Sequence, residues 1–197
     1  ESYKSNKSTM TRQKICLAEY VGKLNCEVGF TEKTGVQITS EHTRRIAELM
    51  PSIDRQKVLH YLNDCWGNYV NDCCALPADR QEEFQHRQGY LRLADLLAHF
   101  AAWWEVGMQV IETYCLDPDY QPPAVDVDAF NAAAVESARH LSEAQVIQLF
   151  ESTREKFVDL VLRLSDEDFR NPGITNQLQI ELVNHLQEHA IKKDPAY

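Results

Sequence analysis

The chain has 197 residues and a formal net charge of −10, with 20 Lys and Arg set against 30 Asp and Glu. That balance disfavours a broad electrostatic footprint on nucleic acid or on an anionic membrane. Hydrophobic residues at 44% and charged residues at 25% fit an ordinary soluble domain with length enough for one sizeable core, and seven Gly and seven Pro leave room for long uninterrupted elements.

Residues 11–30 place Leu17, Tyr20, Val21, Leu24 and Val28 at helical spacing, and a shorter helix is expected over 40–50, with Ser40 at its start and Pro51 after its end. Asp54 is positioned to cap a helix over 55–74, whose apolar series 58, 62, 65, 69, 73 steps by three and four. The stretch LPADRQEEFQHRQG reads as a polar connection. Helix 91–116 is apolar over a wide arc, with Leu93, Leu97, Phe100, Trp104, Met108 and Ile111 on one side and Leu96, His99, Trp103 and Val106 beside them. So wide an arc predicts a central position in a bundle. LDPDYQPPAVD breaks the chain with paired prolines. A helix follows through DAFNAAAVESARH, and Ser142 with Gln145 forms a capping box for the helix over 143–164. SDEDFRNPG reads as a polar break, and the last helix is expected over about 177–192, with Leu178, Leu182, His185 and His189 on one face. No alternating strand of useful length is present. The expected fold is therefore all-α: a four-helix bundle over 51–197 with an N-terminal helical extension over 1–50.

The six cysteines, Cys16, Cys26, Cys65, Cys73, Cys74 and Cys115, include no C-x-x-C pair, and a chain this rich in core residues has no need of disulfide staples. Reduced thiols, no secretory leader and no apolar run of spanning length give a cytoplasmic expectation without a membrane partner. No cysteine stands in a sequence environment that marks it as a nucleophile, and His42, His60, His86 and His140 have no evident partner.

The chemistry concentrates in three histidines. His185 and His189 lie four apart, so one helix face can bring both rings to one ion. Their face also carries leucines, which turns it inward. His99 sits on the apolar central helix and completes a three-imidazole set for zinc, nickel or iron, with a position left open for water or substrate. The bland reading is a pair of helix-face histidines, one buried and one solvated. Asp95 and Glu181 each stand one turn before a histidine and are placed to accept a ring N–H or to ligate, although Glu181 reads more readily as a surface charge. Glu188 is a candidate general base, against the commoner fate of a solvated glutamate. Trp103, with Asp95, is expected to line the pocket.

DLLAHFAAWWE and HLQEH resemble two signatures of the DinB-like superfamily of four-helix proteins, with His99, His185 and His189 at its metal positions. The run DPDYQPPAVDVDAFNAAAVESARHLSEAQVIQLFESTREKFVDLVLRLSDEDF is more similar to the ClbS/DfsB subgroup. The resemblance extends over 55–192. It implies an up-down-down-up bundle, a homodimer, and a pocket between helices for a small-molecule substrate. Metal-binding members imply thiol-dependent transfer or isomerisation. The ClbS-like branch implies a hydrolase that opens a strained electrophilic ring in self-protection, and some of that branch lack the full triad. Three functions stay open: a metal-dependent hydrolase or thiol transferase acting on a small electrophile, a metal-free ring-opening hydrolase, and a non-catalytic bundle that sequesters a small molecule.

Overall fold

The computed structural model describes residues 53–191. The helices expected over 11–30 and 40–50, and the extension over 1–50 to which they belong, lie outside the described residues. Within them the chain is all-α, with no strand.

Six helices make up the fold of the described residues. Helix α1 runs Arg55–His60, widens into a π-helical segment Tyr61–Trp66 and continues Gly67–Cys74. Helices α2 (Ala78–Arg87), α3 (Leu93–Leu116), α4 (Val127–Ala138) and α5 (Glu143–Arg163) follow. A 3-10 turn, Asp168–Arg170, precedes α6, which runs Pro172–Leu178, passes through a second π segment Gln179–Asn184 and ends with His185–Glu188.

Local sequence accounts for the helix boundaries. Asp54 accepts from the Lys57 N–H at 2.8 Å and starts α1 as expected. The Ser142–Gln145 capping box starts α5. Asp126 caps α4 by accepting from the Ala129 N–H. Two expectations are corrected. Residues 78–87 form a helix rather than a polar connection: Asp79 in its first turn and His86 and Arg87 in its last complement the helix dipole, and Gly89, at φ +84°, turns the chain out. Its one buried side chain is Phe84, too little for a periodic apolar signal. The last helix starts at Pro172 rather than 177. Pro172 and Gly173, read as breakers, instead open the helix, with proline at the first helical position and Asn171 accepting from the Gly173 N–H.

Helices α1, α3, α5 and α6 form the bundle. Helix α3 packs on α5 and α6, α5 packs on α1, and the π segments of α1 and α6 meet; α4 rests against α3. Every residue of α3 from Leu93 to Ala101 is buried, in keeping with its apolar arc and central place. The core is aromatic: Trp66, Phe100, Trp104, Phe150 and Phe157 are fully buried, and the Trp66 and Trp104 rings meet edge to face at 5.0 Å. Burial of each such side chain contributes roughly 1.5–3 kcal/mol. In α1 the buried series is Val58, Leu62, Trp66, Tyr69 and Cys73, not the expected series through Cys65. The wider π turn carries Trp66 inward and leaves Cys65 half-buried. Leu149 of α5 is exposed.

Candidate metal centre

His99 rises from the buried stretch of α3, His185 from the first position after the π segment of α6, and His189 from the C-cap of the same helix. The His99 ring lies 5.1 Å from that of His185 and 5.3 Å from that of His189, and the latter two are 5.5 Å apart, all between centroids. One nitrogen from each ring falls within 4.8 Å of the others, so all three can reach a single ion. This is the only such group of His, Cys, Asp and Glu among the described residues.

The outer partners of the rings define which nitrogen faces inward. Asn131 Oδ1 accepts from the Trp103 indole N–H at 2.8 Å and lies 3.0 Å from His99 Nδ1. An indole nitrogen only donates, so the Asn131 atom it meets is the carbonyl oxygen. The His99 nitrogen facing the same oxygen must then carry the proton, which leaves Nε2 with a lone pair. That Nε2 is buried and has no hydrogen-bond partner. His189 Nδ1 lies 2.8 Å from Gln88 Oε1, and the His189 carbonyl accepts from the Tyr69 hydroxyl at 2.9 Å. His185 Nδ1 faces Glu181 Oε2 at 3.5 Å, an ion-pair distance longer than an ordinary hydrogen bond. Both atoms are buried and have no closer partner. Each ring thus turns Nδ1 toward a side-chain oxygen and keeps Nε2 for the centre, the arrangement that fixes ligand imidazoles.

Electrostatics favour the neutral, ligating form. Burial lowers the pKa of His99 to about 3, with further lowering by His185 and His189. Burial and His185 lower that of His189 to about 4. At neutral pH both rings offer lone pairs rather than positive charge. Three imidazoles, an orphaned buried Nε2 and an outer oxygen at each ring form a donor set that fits zinc, nickel or iron.

Glu181 is the residue that sequence reasoning undervalued. It is buried, not a surface charge: Gln177 Nε2 donates to its Oε1 at 2.8 Å. Burial pushes its carboxyl above the ordinary range, against the opposing pull of His185 and Gln177. The signal was its place one turn before His185. Its depth comes from the π segment and from Gly107, where a Cβ would come within 2.6 Å of Glu181 Cγ. Asn131 and Gln88 gave no signal, since they approach from α4 and from the end of α2.

Of the other expected residues, Asp95 is buried but does not serve His99. Its Oδ1 accepts from the Arg92 guanidinium at 2.5 and 3.0 Å, and Asn131 occupies the position it was expected to take at the ring. Glu188 is exposed on the last helical turn and is not in the cluster that can share an ion. Trp103 is half-buried beside the centre, 6.4 Å from the His185 ring and 4.4 Å from Phe130. Tyr90 flanks His99 at 5.5 Å. No helix among the described residues is long and apolar enough to cross a membrane.

No protein-family model, curated protein or solved structure matches the chain.

Proposed function

We propose that the protein is a metal-dependent enzyme that activates water or a thiol for attack on a small electrophilic molecule, in hydrolysis or thiol transfer. The observation that carries this reading is the His99 ring: its proton is tied to Asn131 on the outside, and its bare Nε2 stands buried and unpartnered beside His185 and His189. A buried acceptor without a partner is costly unless something binds it. Three protein donors would leave a bound ion room for water or substrate, the mark of a catalytic rather than a structural site.

A divalent ion held there supplies Lewis acidity to an oxygen or sulfur donor. The chain's own residues do the rest. Asn131, Gln88 and Glu181 hold the three rings in orientation. With an ion bound, Glu181 would give up the proton that burial favours and bring a buried carboxylate to offset positive charge at the centre. Trp103, which Phe130 backs, and Tyr90 set aromatic faces close to the histidines, which suits a small, largely apolar substrate. The resemblance to DinB-like proteins supports the same centre, and its ClbS-like part supports an electrophile opened in self-protection. No proton transfer is assigned to Glu188, whose exposed carboxylate is separate from the cluster.

The test is elemental mass spectrometry of the untagged protein beside a His185→Ala/His189→Ala variant. Near-stoichiometric zinc, nickel or iron that is lost in the variant supports the centre and directs substrate screening to hydrolysis and thiol transfer. Absence of metal after reconstitution with all three overturns it in favour of a metal-free hydrolase or a sequestering protein.

A further inference from the structure

A second cluster of reactive groups lies on α1, apart from the three histidines. His60 Nδ1 lies 2.7 Å from Asp64 Oδ2, and His60 Nε2 lies 4.0 Å from Cys65 Sγ. Carboxylate, imidazole and thiol therefore stand in line, with the ring between the other two. The local backbone makes this possible. Residues five apart on a regular α-helix point about 140° away from each other. Tyr61–Trp66 is π-helical, and in that geometry residues five apart lie about one turn apart, on the same side. The π segment that carries Trp66 into the core thus sets Cys65 under the His60 ring.

We propose that His60 and Asp64 form a proton relay that makes Cys65 a nucleophile toward soft carbon electrophiles, independently of the histidine centre. His60 is placed to take the thiol proton as the sulfur attacks, and Asp64 to steady the imidazolium that results. With an α,β-unsaturated carbonyl, the S–C bond forms at the β-carbon and the C=C pair moves to the α-carbon. The proton passes from Sγ through His60 Nε2 to that carbon, so thiol and alkene combine with nothing left over.

Two observations favour a reactive site over a structural contact. His60 and Asp64 are exposed at 61% and 66%, where an ion pair adds little to stability. The two ring nitrogens point to different partners, so the three groups do not converge on a cation, and the described residues that can share one are the histidine triad alone. Burial and the Asp64 charge hold the Cys65 thiol above its ordinary value, so the geometry of the His60 ring, not the acidity of the thiol, carries the proposal. Without a base the thiol would be sluggish, which is the condition under which a positioned imidazole matters.

The experiment is timed alkylation of the full chain by N-ethylmaleimide, with each cysteine followed by peptide mass spectrometry. Cys74, which is exposed, serves as internal reference. The expected result is that Cys65, although half-buried, reacts at least about tenfold faster than Cys74. His60→Gln should bring Cys65 to or below the rate of Cys74, and Asp64→Asn should give an intermediate rate. An unchanged Cys74 rate, with an unchanged circular dichroism spectrum, reports that each variant keeps its fold. A Cys65 slower than Cys74 in the unmodified protein, or a Cys65 rate that His60→Gln leaves unaltered, overturns the relay.

Discussion

The Glu181 side chain lies across the backbone of Gly107, and a Cβ at that glycine would stand 2.6 Å from Glu181 Cγ and 3.0 Å from its Cδ. A glycine in the middle of a 24-residue helix costs about 1 kcal/mol relative to alanine, so its presence in α3 needs a reason. The reason is room for a buried carboxylate behind His185. Gly107→Ala should therefore displace Glu181 and lower zinc affinity by roughly 10- to 100-fold without touching a ligand. Glu181→Gln should give a similar loss. The double variant should be little worse than either single one, because both act on one contact. Competition titration with a chelating dye reads all three. Full affinity in Gly107→Ala would show that the carboxylate does not support His185.

Asn131 links Trp103 to His99 through a single oxygen. Asn131→Leu takes the acceptor from both N–H groups and frees the His99 ring to rotate or change tautomer. Zinc affinity should fall by roughly 10- to 100-fold, and quenching or shift of the Trp103 emission should accompany it. Asn131→Asp keeps an acceptor at the same place and should retain most of the affinity. Equal losses in the two variants would point to packing of α4 rather than to the shared oxygen.

The metal-free protein should lose stability in mild acid. His99 and His189 have folded pKa values of about 3 and about 4 against an ordinary 6.5. Below pH 6.5 the unfolded chain takes up protons that the folded chain refuses, so stability falls as pH drops through 6.5 toward 4. Each histidine contributes up to about 1.4 kcal/mol per pH unit in that window. Glu181 acts in the opposite sense. Its folded pKa is raised, so above 4.5 the folded chain holds a proton that the unfolded chain has released, and stability falls as pH rises. The net slope should be shallower than the two histidines alone would give, and Glu181→Gln should steepen it. Urea unfolding at several pH values between 4.5 and 7 measures both slopes; a slope unaffected by Glu181→Gln would contradict the buried, raised carboxyl.

The bundle helices were legible because their apolar residues recur at three and four over many turns, and the triad was legible because His99, His185 and His189 share that periodicity. Helix α2 was not, since Phe84 is its one buried side chain and no period can be read from one residue. The start of α6 was misread because Pro172 and Gly173 signal a break or a beginning according to the cap before them, and Asn171 decides it. Where the site departs from the sequence reading, tertiary contact or π geometry is the cause. Asn131 and Gln88 reach the rings from 32 and 101 residues away. Glu181 and the His60–Cys65 contact depend on π segments, which a 3.6-residue period does not anticipate.

The π segment of α6 is itself held by two tryptophans. Trp66 donates its indole N–H to the Leu182 carbonyl at 2.9 Å, and Trp104 donates to the Glu181 carbonyl at 3.2 Å. Both carbonyls belong to the π segment of α6, and the indoles satisfy them inside the core. Trp66→Phe keeps an aromatic ring but removes the donor and leaves a small void. The loss of a partner for a buried carbonyl costs about 1–3 kcal/mol. Trp104→Phe should cost somewhat less, since its bond is longer. If the donors also maintain the π register, each variant should weaken zinc binding as well as lower the unfolding midpoint, because Glu181 and His185 are placed by that register. Thermal unfolding and zinc titration on the same samples separate the effects. A lowered midpoint with unaltered zinc affinity would assign the tryptophans to packing alone, whereas a joint loss would make the core indoles the support on which the histidine centre rests.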